Sequence, residues 1–167
     1  MTDTKAAPQA SGEASSGRQT KKVLAIASAG GHWQQLMMLR PAFAHHDIHF
    51  ATTLPGLAEE FGAEPATLIP DCNRNRKLEA ATTAFAIVRL VRRVRPAIVI
   101  STGALPGVMA LAAGRFWGAR TIWVDSVANA KEMSMSGKQA RRVADLWLTQ
   151  WEDVAELSDA EFAGAVL

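Results

Sequence analysis

Lys22-Val23-Leu24-Ala25-Ile26-Ala27-Ser28 runs straight into Ala29-Gly30-Gly31-His32. A continuous apolar run closed by glycine predicts a strand buried on both faces, as strands of parallel sheets are. Reading outward, Trp33 to Ala44 has helical periodicity through Leu36, Met37, Leu39 and Phe43, while His49–Thr53 and Ala66–Pro70 read as strands. Leu78 to Val94 predicts a long helix, stopped at Arg95-Pro96 because the residue before proline avoids helical geometry. Its Phe85, Val88, Val91 and Val94 are assigned to one apolar face, with Arg89, Arg92 and Arg93 pointing elsewhere. Ala97–Ser101 is a further strand, Leu105–Trp117 a helix and Thr121–Asp125 a strand. Ala140–Ala144 reads as a short helix, Leu146–Thr149 as a last strand and Asp153–Ala163 as a closing helix. This alternation predicts an α/β fold, a Rossmann-like parallel sheet with helices on both faces, as one domain over residues 21–167. Residues 1–20, rich in Ala, Ser, Gly and polar side chains without an apolar core, read as a disordered tail.

A chain of 167 residues is long enough for one domain with a proper core and too short for two. The single cysteine, Cys72, excludes an internal disulfide and fits a reducing cytoplasm. No secretory signal precedes the first strand. The longest apolar stretch, Ala104 to Val124, is broken by Arg115, Arg120 and three glycines. A spanning helix needs about twenty apolar residues, so no transmembrane segment is assigned. Net charge is +2, but it is unevenly spread. Arg74, Arg76, Lys77, Arg89, Arg92, Arg93 and Arg95 stand against the single acid Glu79, which leaves the rest of the chain net acidic.

Parallel sheets bind ligands in the loops beyond the carboxyl ends of their strands. Three such loops carry chemistry. In Ser28-Ala29-Gly30-Gly31-His32 the paired glycines allow close approach of a ligand, and the helix start offers free N–H groups to an anion. His32 at that position is a candidate general base or donor, or else a capping or packing histidine. Ser101-Thr102-Gly103-Ala104-Leu105-Pro106-Gly107 repeats the arrangement with two hydroxyls, or is an ordinary strand-to-helix turn. Asp125-Ser126 opens a long polar loop that runs to Ser136-Gly137-Lys138. Asp125 is a candidate base or the cap of a neighbouring helix, and Lys138 a phosphate partner or a solvated lysine. The arginine helix is either a solvated face or a patch for anionic headgroups or a diphosphate. Nucleic acid is disfavoured, since the arginines come without a recognition motif or interleaved aromatics. His45 and His46 lack ligand partners at the right spacing, so no metal site and no cofactor are assigned. No G-x-S-x-G elbow surrounds Ser28, which argues against a hydrolase nucleophile.

The order Ser28-Ala29-Gly30-Gly31-His32-Trp33-Gln34-Gln35-Leu36, Ile100-Ser101-Thr102-Gly103-Ala104, Asp125-Ser126 with Ser136-Gly137-Lys138, and Ala144-Asp145-Leu146-Trp147-Leu148-Thr149-Gln150-Trp151 resembles a known family. It is similar to the acceptor-side subunit of the split UDP-N-acetylglucosamine transferase and to its bacterial PssD/CpsF-like relatives in polysaccharide biosynthesis. Such proteins resemble the N-terminal half of MurG-like transferases of the GT-B fold. The resemblance spans about Lys22 to Glu156. It implies half of a GT-B fold that binds a lipid-diphosphate-linked sugar acceptor, while a donor-binding glycosyltransferase subunit on a separate chain holds the UDP-sugar. It further implies that Ser28, Gly30, Gly31, Ser101, Thr102, Gly103, Ser126 and Lys138 contact substrate and that His32 or Asp125 is the base. Where the family often has glutamate, this chain has Asp125. Only sixteen residues follow Trp151, so the donor half is expected on the partner, met through Trp147, Gln150 and Trp151 or else leaving those tryptophans in the core. The chain is expected to be cytoplasmic and peripheral on the inner face of the cytoplasmic membrane, held by Arg89, Arg92 and Arg93, by Phe116 and Trp117, or by the partner. Two alternatives stand beside this reading: a non-catalytic enhancer or anchor for a separate catalytic subunit, and a stand-alone nucleotide-binding protein.

Overall fold

The computed structural model describes residues 19–72 and 77–166, with the side chain of Lys77 excepted. Arg74, Arg76 and all but the last two residues of the expected tail lie outside the described residues. Seven parallel strands form one sheet: β1 (Lys22–Ile26), β2 (Asp47–Thr52), β3 (Ala66–Leu68), β4 (Ile98–Ser101), β5 (Arg120–Val124), β6 (Leu146–Thr149) and β7 (Glu161–Phe162), in the order β3-β2-β1-β4-β5-β6-β7. The helices are α1 (Gly31–Leu39), α2 (Leu57–Glu60), α3 (Lys77–Val94), α4 (Ala104–Phe116), α5 (Met135–Ala140) and α6 (Glu152–Ser158).

Two apolar layers flank the sheet. On one side Val23, Ala25, Phe50 and Ile100 pack beneath Trp33 and Leu36 of α1 and Ala58 of α2. On the other, Leu24, Ile26, Val99 and Trp123 meet Ile87, Leu90 and Val91 of α3 and Ala110 and Leu111 of α4, with Ala140 of α5 and Val154 of α6 beyond. The central strands are buried on both faces, which is why their sequences are continuously apolar. Near β4–β6 the first face is thinly covered, and Ile98, Ile122 and Leu148 are only partly buried there.

The sequence reading misplaced several details. The helix expected from Trp33 to Ala44 starts earlier and turns into a 3-10 segment at Arg40–Phe43, because Pro41 has no N–H to continue the α-helical ladder. Phe85 is 70% exposed. The stripe of α3 that meets the sheet is Thr83, Ile87, Leu90 and Val91, following the i, i+4, i+7, i+8 spacing of a core-facing helix. Of the expected face, Val91 is buried and Val88 and Val94 pack partly buried against the same core, so only Phe85 turns outward. No helix covers the expected Ala140–Ala144; α5 lies just before it, from Met135 to Ala140, and Ser134 caps it through a bond from Gly137 N–H. The expected closing helix stops at Ser158. Asp159 adopts a left-handed backbone, and Glu161–Phe162 instead extends the sheet.

Candidate functional site

Strand order reverses between β1 and β4, which are neighbours in the sheet although their following helices lie on opposite faces. The loops after these two strands part there and leave a crevice, the usual ligand position in such sheets. Both helices that open onto it, α1 and α4, begin at a glycine, Gly30 and Gly103, and no side chain caps either. Their first N–H groups are therefore not consumed by a cap, and each helix dipole places partial positive charge at the crevice. Gly30 has φ 75°, a left-handed backbone that glycine adopts without strain.

His32 spans the crevice. Its Nδ1 lies 3.1 Å from the carbonyl oxygen of Thr102, and the Thr102 hydroxyl donates to the His32 carbonyl at 2.6 Å. A carbonyl only accepts, so Nδ1 carries the hydrogen and Nε2 of the neutral ring keeps its lone pair. No described residue bonds to that Nε2. A Cβ on residue 103 would stand 2.1 Å from His32 Nδ1, so glycine there is what lets the ring lie against the second loop. Ala104, next in the chain, has φ 64°. A non-glycine residue in that region is strained, and such residues gather at functional sites.

Other expected site residues are used differently. The Ser101 hydroxyl is fully buried and bonds locally to Gly103, and Thr102 is spent on His32. The two hydroxyls shape the loop rather than face a ligand. Ser28 is half-buried and Gly30 and Gly31 are at or near the surface. Asp125 is 1% exposed. Its carboxylate accepts from Ser134 N–H at 2.7 Å, the Ser134 hydroxyl at 2.6 Å and Trp123 Nε1 at 3.1 Å. Gly137 packs so close that a Cβ there would lie 2.7 Å from Asp125 Oδ1. Asp125 is not itself the cap of α5, which is Ser134; its carboxylate braces that cap, and both of its oxygens already accept hydrogen bonds.

Lys138 pairs with Glu132 at 2.6 Å and lines a groove with Arg141, Trp147 and Leu157, away from the His32 loops. Trp147 is buried, its indole donating to the Gly137 carbonyl, and Gln150 is buried too. Of the three expected partner contacts only Trp151 is exposed, at 37%. Arg89, Arg92 and Arg93 are all exposed, as expected. Arg92 lines a groove of about 410 Å³ with Val91, Arg95, Pro96 and Trp117, and Arg93 donates to Thr67 Oγ1 at 2.7 Å. Sequence reasoning missed Gln35, which is buried and bonded to Ser126 at 3.0 Å. A glutamine among apolar residues on a helix was the available signal.

Fold and crevice together define a Rossmann-like α/β unit, of the kind that makes up half of a GT-B fold. Known proteins make the likeness concrete. The chain is 25% identical over 172 residues to the UDP-N-acetylglucosamine transferase subunit ALG14 of Eremothecium gossypii, covering 81% of this chain and 75% of that protein. Among solved structures it is similar to MurG of Acinetobacter baumannii, with TM-score 0.67 and 15% identity over 80% of this chain and 43% of that one. A UDP-GlcNAc 2-epimerase from Neisseria meningitidis bound to UDP-GlcNAc gives TM-score 0.64 and 11% identity over 83% and 43%. The chain thus spans less than half the length of these solved structures. No family model matches it.

Proposed function

We propose that this chain is the acceptor-binding and membrane-recruiting subunit of a two-chain glycosyltransferase. In this reading it helps to transfer a sugar from a UDP-sugar to a lipid-diphosphate-linked saccharide during exopolysaccharide or capsule assembly. The carrying observation is His32, fixed in the tautomer that leaves Nε2 free, between two helix starts without side-chain caps. The acceptor's diphosphate fits those helix starts, where N–H groups and dipoles favour negative charge. The sugar hydroxyl then meets Nε2. As its oxygen attacks the donor's anomeric carbon, the proton passes to Nε2, the bond from that carbon to the diphosphate breaks, and UDP leaves with the electron pair. Attack opposite the leaving group inverts the anomeric centre. Asp125 holds the α5 loop and takes no proton.

The donor site belongs to a separate subunit, for which the half-buried Ile98 and Ile122 on the α1 face of the sheet are a fitting contact surface. Membrane recruitment rests on the groove of Arg92, Arg95 and Trp117 beside Phe116, which is 81% exposed. No helix among the described residues is long and apolar enough to cross a membrane. The test combines the chain with its partner, UDP-sugar and lipid-diphosphate acceptor. His32→Ala should lower kcat by about 10²–10⁴. Full activity from the partner alone overturns the proposal. Unchanged turnover in His32→Ala instead favours the non-catalytic anchor, whose supporting observation is the same arginine and tryptophan groove.

A further inference from the structure

Two glutamines 115 residues apart meet beneath the loop that follows β5. Gln35 on α1, three residues after His32, donates from Nε2 to Ser126 Oγ at 3.0 Å, and its Oε1 accepts from Val127 N–H at 3.1 Å. Gln150, just past β6, donates from Nε2 to Gln35 Oε1 at 2.7 Å and to the Asp125 carbonyl at 2.8 Å. Its own Oε1 accepts from Val166 N–H at 2.9 Å. That last bond ties the segment 163–166 to β6, where it lines a small cavity with Leu39, Val124 and Leu148. Ser126 Oγ also accepts from Ala128 N–H at 3.3 Å.

The direction of each amide is determined by its partners. Turned over, Gln150 would set its oxygen against the Asp125 carbonyl and against Gln35 Oε1, two acceptors facing an acceptor. Both side chains are buried, and a buried amide left without partners is destabilising, so the pair is held as a unit. The chain of bonds runs from the segment 163–166 through Gln150 and Gln35 to the backbone of the loop at 126–128 and to the helix that carries His32.

We propose that Gln35 and Gln150 are positioning residues, which set the Ser126–Ala128 loop against the His32 helix and couple both to the seating of the segment 163–166. The functional half of this inference rests on the reading of the His32 crevice as the substrate site. The coupling itself does not.

Amide hydrogen exchange of the full-length protein, without substrate, tests the coupling. Gln35→Ala and Gln150→Ala should speed exchange at Val127 by about tenfold, the equivalent of one lost bond to a buried group, with the amides of β1 and β4 unchanged. Val166→Pro removes the N–H that Gln150 accepts, from a half-buried residue, and should speed Val127 and Ala128 by about threefold or more, while Val166→Ala, which keeps that N–H, should not. If Val166→Pro leaves both amides at the wild-type rate, or if Val166→Ala matches it, the coupling is overturned. In the reconstituted transferase Gln150→Ala should lower kcat about tenfold with the donor KM unchanged. Unchanged kcat overturns the positioning role. A wild-type protein with no transfer activity would instead overturn the proposed function and leave the exchange result standing.

Discussion

Gly103→Ala is the sharpest probe of the crevice. An alanine Cβ at this position would stand 2.1 Å from His32 Nδ1 and 2.3 Å from Cε1. Comfortable contact between such atoms is about 3.5 Å, so the ring must retreat by more than about 1 Å. It then loses its 3.1 Å bond to the Thr102 carbonyl. That bond is worth about 1 kcal/mol, and alanine at a φ of +155° adds about 1–3 kcal/mol of strain. The sum is about 2–4 kcal/mol, a fall in Tm of about 5–15 °C for a domain of this size. Differential scanning calorimetry measures the stability, and nitrogen NMR of the histidine ring should show the Nδ1–H tautomer replaced by a mixture. In a transfer assay, misplacing the ring by 1 Å should cost about 10²-fold. Gly31→Ala is the control, since its Cβ meets nothing within 4 Å and its backbone is not left-handed. It should be neutral or slightly stabilising, because alanine favours a helix over glycine by about 1 kcal/mol. A Gly103→Ala protein with wild-type Tm and an intact Nδ1–H signal would refute the account of how His32 is held.

Two further perturbations test the supporting structure. Asp125→Asn keeps one acceptor oxygen but turns an amide nitrogen toward Ser134, whose N–H and hydroxyl both now donate to the carboxylate. A loss of about 2–3 kcal/mol is expected from urea midpoints, and a loss below about 0.5 kcal/mol would show that α5 is anchored some other way. Asp145 has its carboxyl pulled below the ordinary aspartate range, chiefly by the Thr121 N–H and then by the Thr121 hydroxyl and Arg115. A lowered folded pKa means the ionised form is favoured in the native state. Its stabilisation is therefore complete above the unfolded value near 4 and is lost as pH falls through the folded value. Asp145→Asn should flatten the stability profile below about pH 4, and an unchanged acid limb would count against this pairing.

The strands were legible because burial on both faces writes continuous apolar runs, and the breaks at Gly30, Gly103 and Pro96 mark where they end or begin. Helix faces were less so. Phe85 looks like a core residue, yet a helix places it by angle, and Thr83 takes the buried position four residues before Ile87. The site was half legible. The Gly-Gly-His loop announced itself through residue types. The partners of those residues did not, because His32 meets Thr102 and Gln35 meets Gln150 across separations of 70 and 115 residues that only the closed sheet brings together. Asp125 shows the limit from the other side. Its position at a strand end fits both a base and a cap, and the sequence does not show that its partners are Trp123 and the true cap, Ser134.

The exposed surface of α3 bears on how the proposed membrane contact is oriented. Leu78, Phe85, Arg89 and Arg92 recur at spacings of seven, four and three, so they form one exposed stripe opposite the buried face. In a parallel crossover α3 runs back from the carboxyl ends of the strands to their amino ends. Its 18 residues extend about 27 Å. Leu78 thus lies toward the His32 end, and Arg92 toward the Arg95 and Trp117 groove at the far end. Docking by the far end alone would leave Leu78, 86% exposed, and Phe85 in water and lift the crevice off the bilayer. Docking along the whole stripe brings the crevice down to the headgroups, where a lipid-linked diphosphate is found. Flat docking predicts that Leu78→Ser and Phe85→Ser each weaken partition onto anionic vesicles about 5–30-fold, the effect of about 1–2 kcal/mol of lost apolar burial. Arg89→Gln and Arg92→Gln should each weaken it about fivefold, and more at low salt. If Trp117→Ser abolishes binding while Leu78→Ser and Phe85→Ser leave it unchanged, the chain stands on its end, and the acceptor must reach up to His32.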